Sequence, residues 1–280
     1  MNSTMLQYSS AENYAVIFTK NFIIVLLGTI INCINGIFVF TFFRSSTFYN
    51  DPRYILYIHL VINDMLMVFI TVVLFVMAYA WPNVPVPFCI LLLITASATH
   101  KNTPLTLAGM AIERYIAICK PLHHAQICTV RRTYILISLI WGVGVIPALA
   151  ELINKCMNGL YSSVVWLILV FTYFRVLVAA KRANTDKSSV KRAQSTILLH
   201  GIQLLLCMLS YITPFIDRIY IPLLPAHQSV MVFFNYLLTN LVPRLLSPLI
   251  YGFRDKHFYK HMKGLFVCRF LIVKVESTKQ

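Results

Sequence analysis

Long apolar runs, separated by short breaks that carry charge or proline, dominate the chain. A helix that crosses the hydrocarbon core of a bilayer needs roughly 20 mostly apolar residues. Seven runs qualify, at 21–43, 54–80, 88–112, 133–150, 157–173, 193–216 and 229–253. The run at 157–173 is the shortest and needs residues 176–180 to complete its length. The pattern predicts an all-α membrane protein, a bundle of seven transmembrane helices.

Basic residues indicate how these helices are oriented, because short cytoplasmic loops collect Lys and Arg. With the N-terminus outside and all seven runs spanning, 19 of the 24 Lys and Arg fall on the cytoplasmic side. The sequence therefore predicts an extracellular segment at 1–20, a domain of seven transmembrane helices at 21–253 and a cytoplasmic tail at 254–280, in the plasma membrane. The glycosylation sequon that begins at Asn2 fits an outside N-terminus, although so short a motif often arises by chance.

Composition narrows the class of protein. Hydrophobic residues make up 59% of the chain and charged residues 12%, whereas about a quarter of residues are charged in soluble domains. The formal net charge of +15 follows from the cytoplasmic loops, so it does not indicate a nucleic-acid surface. A small transporter or channel should show an internal repeat and helices broken near the midplane, and the sequence shows neither.

The inner end of the third run carries the triplet Glu113-Arg114-Tyr115, within the stretch 110–123. An ion pair at a membrane boundary is strong in low dielectric and easily re-solvated, so it can hold an arginine that a partner later receives. A simple charge cluster at a helix end is the alternative. The stretch closely resembles the olfactory receptor signature, in which an acidic-Arg-Tyr triplet precedes a hydrophobic residue, Ala, Ile, Cys and Pro-Leu.

Other segments extend this resemblance over nearly all of the chain outside 151–160. Residues 60–64 resemble the second-helix pattern of class A G-protein-coupled receptors, and Trp141 resembles their fourth-helix tryptophan. Residues 191–200 resemble the sixth-helix olfactory motif. Residues 247–252 resemble the seventh-helix Asn-Pro-x-x-Tyr motif, with Ser in place of Asn. Several segments are similar to fish odorant receptors, particularly the 131-2-like group.

The resemblance implies a receptor rather than an enzyme. In such a receptor, an odorant that binds from outside shifts an equilibrium toward a state that binds a heterotrimeric G protein in the cytoplasm, usually of the olfactory stimulatory type. The residues that the resemblance assigns to coupling and activation are Glu113, Arg114, Tyr115, Tyr173, Pro248 and Tyr251.

Asp64 is an intramembrane carboxylate, a group costly enough to indicate a functional site. Asn35 and Ser247, on neighbouring helices, are its expected polar partners. The resemblance implies an activation network at Asp64 that is linked to a sodium ion or to water. A protonated, hydrogen-bonded structural carboxyl is the alternative. The sequence indicates no other metal and no organic cofactor.

A ligand pocket should open to the outside between the third, fifth, sixth and seventh helices, lined by apolar and aromatic groups with a few polar ones. In one interpretation Lys101 meets an acidic or carbonyl-bearing odorant; in the other it pairs with a neighbour or snorkels along a groove. The candidate pocket residues are Ala96, Ser97, His100, Lys101, Tyr161, Tyr211, Phe215, Phe233 and Asn240.

Two cysteines, Cys89 and Cys156, lie on the oxidising outer side, where a disulfide can persist. Cys89 precedes Arg114 by 25 residues, the spacing of the third-helix cysteine in the family. The two cysteines are therefore predicted to pair.

The tail begins with an amphipathic pattern. Phe258, Met262, Leu265 and Phe266 form one apolar face, and Lys256, Lys260 and Lys263 face elsewhere. This pattern predicts a short helix that lies on anionic lipid. Cys268, which follows it, is either palmitoylated or an inert thiol.

One region departs from the family. Only 31 residues separate Trp141 from Tyr173, which leaves a connection of roughly 5 to 10 residues once two helices are complete. Olfactory receptors normally have a long second extracellular loop here, which caps the ligand pocket. The alternative to a working receptor is therefore an incomplete one that does not signal.

Overall fold

The computed structural model describes residues 2–80, 85–119, 121–153, 228–255 and 258–264, with isolated positions at 167, 170, 171, 174, 178, 202, 205, 209 and 213. Every regular element among these residues is helical. The predicted runs at 157–173 and 193–216 fall outside the described residues, apart from the isolated positions.

The described helices contain the other five predicted runs. They are α1 (Asn2–Arg44), α2 (Pro52–Ala80), α3 (Val86–Cys119), α4 (Pro121–Ile127), α5 (Val130–Ile153), α6 (Gln228–Tyr236) and α7 (Val242–Arg254), with a 3-10 turn at Ser46–Asn50 and a π-helical segment at Leu237–Leu241. Residues 258–264 form a further helical stretch, the tail helix. In this part of the chain, Tyr14–Arg44 and Pro52–Met77 are each long and apolar enough to cross a membrane.

Most helices are longer than the apolar runs that predict them. α1 begins at Asn2 because no glycine or proline interrupts the sequence before Gly28. α2 begins one residue after Asp51, whose carboxylate accepts a hydrogen bond from the backbone N–H of Arg53 at 3.0 Å. Pro52 occupies the first helical position, where its fixed backbone torsion is favourable and no donor is lost.

α2 lies at the centre of the described bundle and packs against α1, α3, α5 and α7. Two small residues allow close helix crossings. A Cβ atom on Gly28 would lie 2.6 Å from Val72, and one on Gly144 would lie 2.1 Å from the end of the Asn102 side chain. In the amide orientation that satisfies both neighbouring carbonyls, the Asn102 nitrogen donates to Ala98 at 3.2 Å and to Ile140 at 3.1 Å, which joins α3 to α5.

We call the end of the bundle that holds Arg114 the inner end, following the predicted topology. An aromatic cluster closes it between α1, the 3-10 turn, α2 and the tail helix. The Phe258 ring stacks on Phe38 at 5.8 Å and lies 5.2 Å from Phe48. The Asp255 carboxylate accepts from the Phe258 N–H at 3.0 Å and from the Tyr54 hydroxyl at 2.8 Å, so it caps the tail helix and ties it to α2.

The tail helix therefore differs from its prediction in one respect. Phe258 and Met262 are buried against the bundle, so this part of the apolar face contacts protein instead of lipid. Lys260 and Lys263 are exposed, as predicted. Leu265, Phe266, Lys256 and Cys268 lie outside the described residues.

The π-helical segment of the seventh span has a cause in the sequence. Pro243 has no N–H with which to bond the carbonyl four residues earlier, and its ring crowds that carbonyl. The helix widens there, and the Val242 N–H bonds the carbonyl of Leu237. Such bulges are common at functional sites.

Candidate functional site

The inner end of α3 carries a charged cluster built around Glu113. Its Oε2 atom lies 3.5 Å from Arg114 Nε, and its Oε1 accepts a hydrogen bond of 3.0 Å from His124 Nε2. Glu113 is 5% exposed, whereas the Arg114 side chain is 31% exposed. The buried carboxylate thus restrains a partly exposed guanidinium. Tyr115, next to them, is half-buried, and Tyr173 lies outside the described residues.

Sequence reasoning missed His124. This residue lies in α4, which the apolar pattern did not predict because the helix has only seven residues. The signal that the sequence offered for this contact was a histidine shortly after the Pro-Leu of the signature. The structure shows that one carboxylate joins α3 to the following loop helix.

A second charged group lies near Arg114. Arg53 Nε donates to the Asp51 carboxylate at 3.0 Å. Burial by itself would raise the pKa of Asp51, but the hydrogen bonds from Arg53 and the charges of Arg53 and Arg114 outweigh it and hold that pKa below its usual range. The Asp51 side chain, in the turn before α2, is therefore held in its negatively charged form near the Arg114 guanidinium.

Asp64 lies at the centre of the bundle and is paired with an arginine. Asp64 is 0% exposed and Arg244 2%, and Arg244 Nε is 3.9 Å from Asp64 Oδ1. Two unit charges about 4 Å apart attract by about 4 kcal/mol at an effective dielectric of 20, before the cost of desolvation. Arg244 also donates from Nη1 to the Asn240 carbonyl at 2.8 Å, so α2 and the seventh span meet at this ion pair.

A chain of hydroxyl and amide groups surrounds the carboxylate. Thr103 donates to Asp64 Oδ1 at 3.1 Å and accepts from Asn63 Nδ2 at 3.0 Å. Ser247, a predicted partner, lies within hydrogen-bond reach of Asp64 and donates to the Pro243 carbonyl at 2.9 Å.

Asn35, the other predicted partner, is buried at 0% exposure. Its amide atoms have no hydrogen-bond partner among the described residues, so no hydrogen bond joins Asn35 to Asp64 there.

Below this centre, the seventh span is held to α2 a second time. The Tyr57 hydroxyl donates to the Pro248 carbonyl at 3.2 Å in a buried setting. Tyr251 is helical, but its side chain lies outside the described part. The contacts at Arg244 and at Pro248 thus join α2 to the seventh span before and within the motif that resembles Asn-Pro-x-x-Tyr.

A histidine that the sequence did not single out connects three helices. The Trp141 indole donates to His59 Nε2 at 3.1 Å, and His59 Nδ1 is 3.2 Å from the Thr106 hydroxyl. An indole only donates, so Nε2 is an acceptor and the imidazole is neutral with its proton on Nδ1. Trp141 thereby fixes α5 to α2 and α3.

The outer half of α3 brings together several of the candidate pocket residues. Lys101 is 4% exposed, and its Nζ lies 3.3 Å from Ser97 Oγ, one turn away. Ala96 and His100 are half-buried beside them. The structure thus places a buried cation and a hydroxyl in one row of α3.

The remaining pocket candidates are not gathered around this row. Phe233 lies beneath Lys20 Nζ at 5.9 Å, so it faces α1. Asn240 lies in the π-helical segment, and its Nδ2 donates to Thr239 at 3.1 Å. Three candidates, Tyr161, Tyr211 and Phe215, lie outside the described residues.

Cys89 is half-buried near the start of α3 and forms no disulfide with another described cysteine. Cys156 lies outside the described residues, and the pairing stays a prediction. Asn2 is the first residue of α1, and its glycosylation also stays a prediction.

Comparisons with known proteins decide the family. Residues 34–160 match the model of the seven-transmembrane receptors of the rhodopsin family. Odorant receptor 131-2 of Danio rerio is 33% identical over 301 aligned positions, which cover 92% of this chain and 91% of the relative. The chain belongs to the odorant receptors of the rhodopsin family. Olfactory receptor 4K1 of Homo sapiens is 28% identical over 193 positions, 54% of this chain and 58% of the relative.

Membership confirms three predictions. The chain is an olfactory class A receptor, its fold is a bundle of seven transmembrane helices, and its class is not enzymatic. It is accordingly a multi-pass membrane protein. The alignment with the Danio rerio receptor has 301 positions, more than the 280 residues of this chain. The relative therefore has residues without a counterpart here.

Proposed function

We propose that this odorant receptor binds a small odorant from the extracellular side and transmits the binding to a heterotrimeric G protein of the olfactory stimulatory type in the cytoplasm. The Glu113–Arg114 pair carries the proposal, because a buried carboxylate restrains a partly exposed arginine at the inner end. The printed names of the relatives, odorant and olfactory receptors, support the ligand class. The N-terminus is extracellular in this proposal.

The ligand site is proposed in the outer half of α3. A lysine in mid-span is costly, and it normally faces a cavity or a polar partner. Lys101 is buried beside Ser97, so the two side chains offer a cation and a hydroxyl to an acidic or carbonyl-bearing odorant. Tyr161, Tyr211 and Phe215 complete the proposed lining from the fifth and sixth spans.

The proposal is tested in cells that carry an epitope at the N-terminus and the olfactory stimulatory G protein. Surface labelling without permeabilisation measures expression, and cyclic AMP is recorded against a panel of acids, aldehydes, esters and hydrocarbons. We expect the acids or carbonyl compounds to raise cyclic AMP. Lys101→Met should weaken that response at equal surface expression, whereas Leu93→Ala, a change at an exposed position of the same helix, should not. Equal responses of both variants would contradict the Lys101 assignment.

A non-signalling receptor is the competing function, and the length of α5 favours it. α5 continues to Ile153, three residues beyond its predicted end. The next predicted span begins at residue 157, so the connection that caps the pocket in the family is nearly absent. No surface label and no response to any odorant, with the label inside the cell, would decide for this alternative.

A further inference from the structure

The central carboxylate of this receptor faces a cation that belongs to the chain. Arg244 and Asp64 are both buried, and their charged atoms lie 3.9 Å apart. The guanidinium is anchored a second time, because Arg244 Nη1 donates to the Asn240 carbonyl at 2.8 Å in the π-helical segment. The arginine is therefore held toward α2 by its own helix.

A sodium ion, which the family resemblance implies near Asp64, does not fit this arrangement. One carboxylate and one guanidinium already form a neutral pair, so a sodium ion would add an uncompensated charge in a buried setting. Thr103 already donates to Asp64 Oδ1, and the Ser247 hydroxyl lies within hydrogen-bond reach of both Asp64 and the Pro243 carbonyl.

We infer that Arg244 takes the place of the sodium ion as the permanent counter-ion of Asp64, and that this receptor is insensitive to sodium. A diffusing ion binds according to its concentration, whereas a side chain is present at every salt concentration. The link between α2 and the seventh span is thus built into the fold. The inference does not rest on the odorant or on the G protein.

The test uses the purified full-length receptor in detergent, and its readout is the midpoint of thermal unfolding by tryptophan fluorescence. Sodium chloride is exchanged for N-methyl-D-glucamine chloride at constant ionic strength. The wild type should show the same midpoint in both salts. Arg244→Gln leaves Asp64 without its cation, so that a sodium ion can bind; the midpoint of this variant should rise by roughly 2–4 °C in sodium.

The control is the double variant Asp64→Asn with Arg244→Gln, in which both charges are removed. It should fold and show no sodium effect. If Arg244→Gln alone fails to fold while the double variant folds, the result also supports the inference, because the unpaired carboxylate is then the cause.

Two results would overturn the inference. One is a wild-type midpoint that rises with sodium and loses this response in Asp64→Asn. The other is an Arg244→Gln receptor that folds as stably as the wild type in both salts, since Arg244 would then not compensate Asp64.

Discussion

Glu113 serves two partners with two oxygen atoms. One oxygen faces Arg114, its neighbour on α3, and the other accepts from His124 in α4. The arginine and the loop helix are therefore restrained by the same carboxylate. A partner that displaces Arg114 from this carboxylate would free the guanidinium, and this arrangement suits a switch at the surface that a G protein would occupy.

A first prediction concerns this carboxylate. Glu113→Gln removes its charge and should raise basal cyclic AMP per surface receptor several-fold, because breaking one side of a buried ion pair changes the free energy by a few kcal/mol. His124→Ala removes only the contact with α4 and should raise basal cyclic AMP less. If the cluster merely closes a helix end, both variants will lower expression and leave signalling per surface receptor unchanged.

At the scale of single residues, the sequence predicts which helices carry buried charged side chains better than it predicts which of those side chains form ion pairs. Asp64 is the sole formal charge of the run 54–80, and Arg244 is that of the run 229–253. Opposite charges in two buried helices should pair, yet the apolar pattern gives no distance between helices. The resemblance directed attention to Asn35 and Ser247, and the arginine was missed. The Glu113–Arg114 contact was predictable because the two residues are adjacent.

Helix contacts in this receptor depend on small residues at defined positions. Gly142 and Gly144 both lie in α5, two residues apart. A Cβ atom on Gly144 would meet the Asn102 side chain at 2.1 Å, whereas one on Gly142 has nothing within 4 Å. The pair separates the packing role of a glycine from its effect on helix propensity.

The second prediction uses this pair. Gly144→Ala should lower the thermal midpoint of the purified receptor, since the methyl group displaces Asn102 and its hydrogen bonds between α3 and α5. Gly142→Ala should be neutral or stabilising by about 0.5–1 kcal/mol, because alanine favours the helix. Equal midpoints for the two variants would show that α3 and α5 do not pack at Gly144.

The third prediction concerns the tail helix. Phe258 is 1% exposed and its neighbour Tyr259 is 40% exposed. Phe258→Ala should lower the free energy of unfolding by about 3–5 kcal/mol, as truncations of buried aromatic residues do, and should reduce surface expression. Tyr259→Ala should leave both nearly unchanged. If Phe258→Ala unfolds at the same thermal midpoint as the wild type, Phe258 does not pack on the bundle. The apolar face of the tail helix would then contact lipid.

The transmembrane helices could be predicted because the requirement that produces them acts within a single stretch of the chain. Apolar runs of membrane length identify helices because the bilayer requires internal backbone bonding. The ends extend beyond those runs because polar residues at the membrane surface continue a helix until a breaker or a cap, such as Asp51 before α2. The burial of Phe258 was not predictable, since one apolar face suits lipid and protein equally.

Over the whole molecule, α2 connects the inner cluster with the centre. It carries Tyr54 and Tyr57, which bond Asp255 and the Pro248 carbonyl, and Asp64, which faces Arg244. A change at the centre that moves the seventh span therefore also changes its contacts with α2.

The fourth prediction concerns the outer face. Mass spectrometry of the non-reduced receptor should show a peptide in which Cys89 is linked to Cys156, because both lie on the predicted oxidising side. Replacing either cysteine with serine should lower surface expression. Free thiols at both positions in surface-purified receptor would contradict the disulfide.

Arg114 allows the most direct test of the account, in which an odorant outside drives a G protein inside. With an odorant that activates the wild type, cyclic AMP per surface receptor is compared for Arg114→Ala and for Arg131→Ala, a change at an exposed basic residue near the inner end. The account predicts that Arg114→Ala reaches the surface but loses the evoked signal, while Arg131→Ala retains it. A normal odorant-evoked signal from Arg114→Ala would contradict the account.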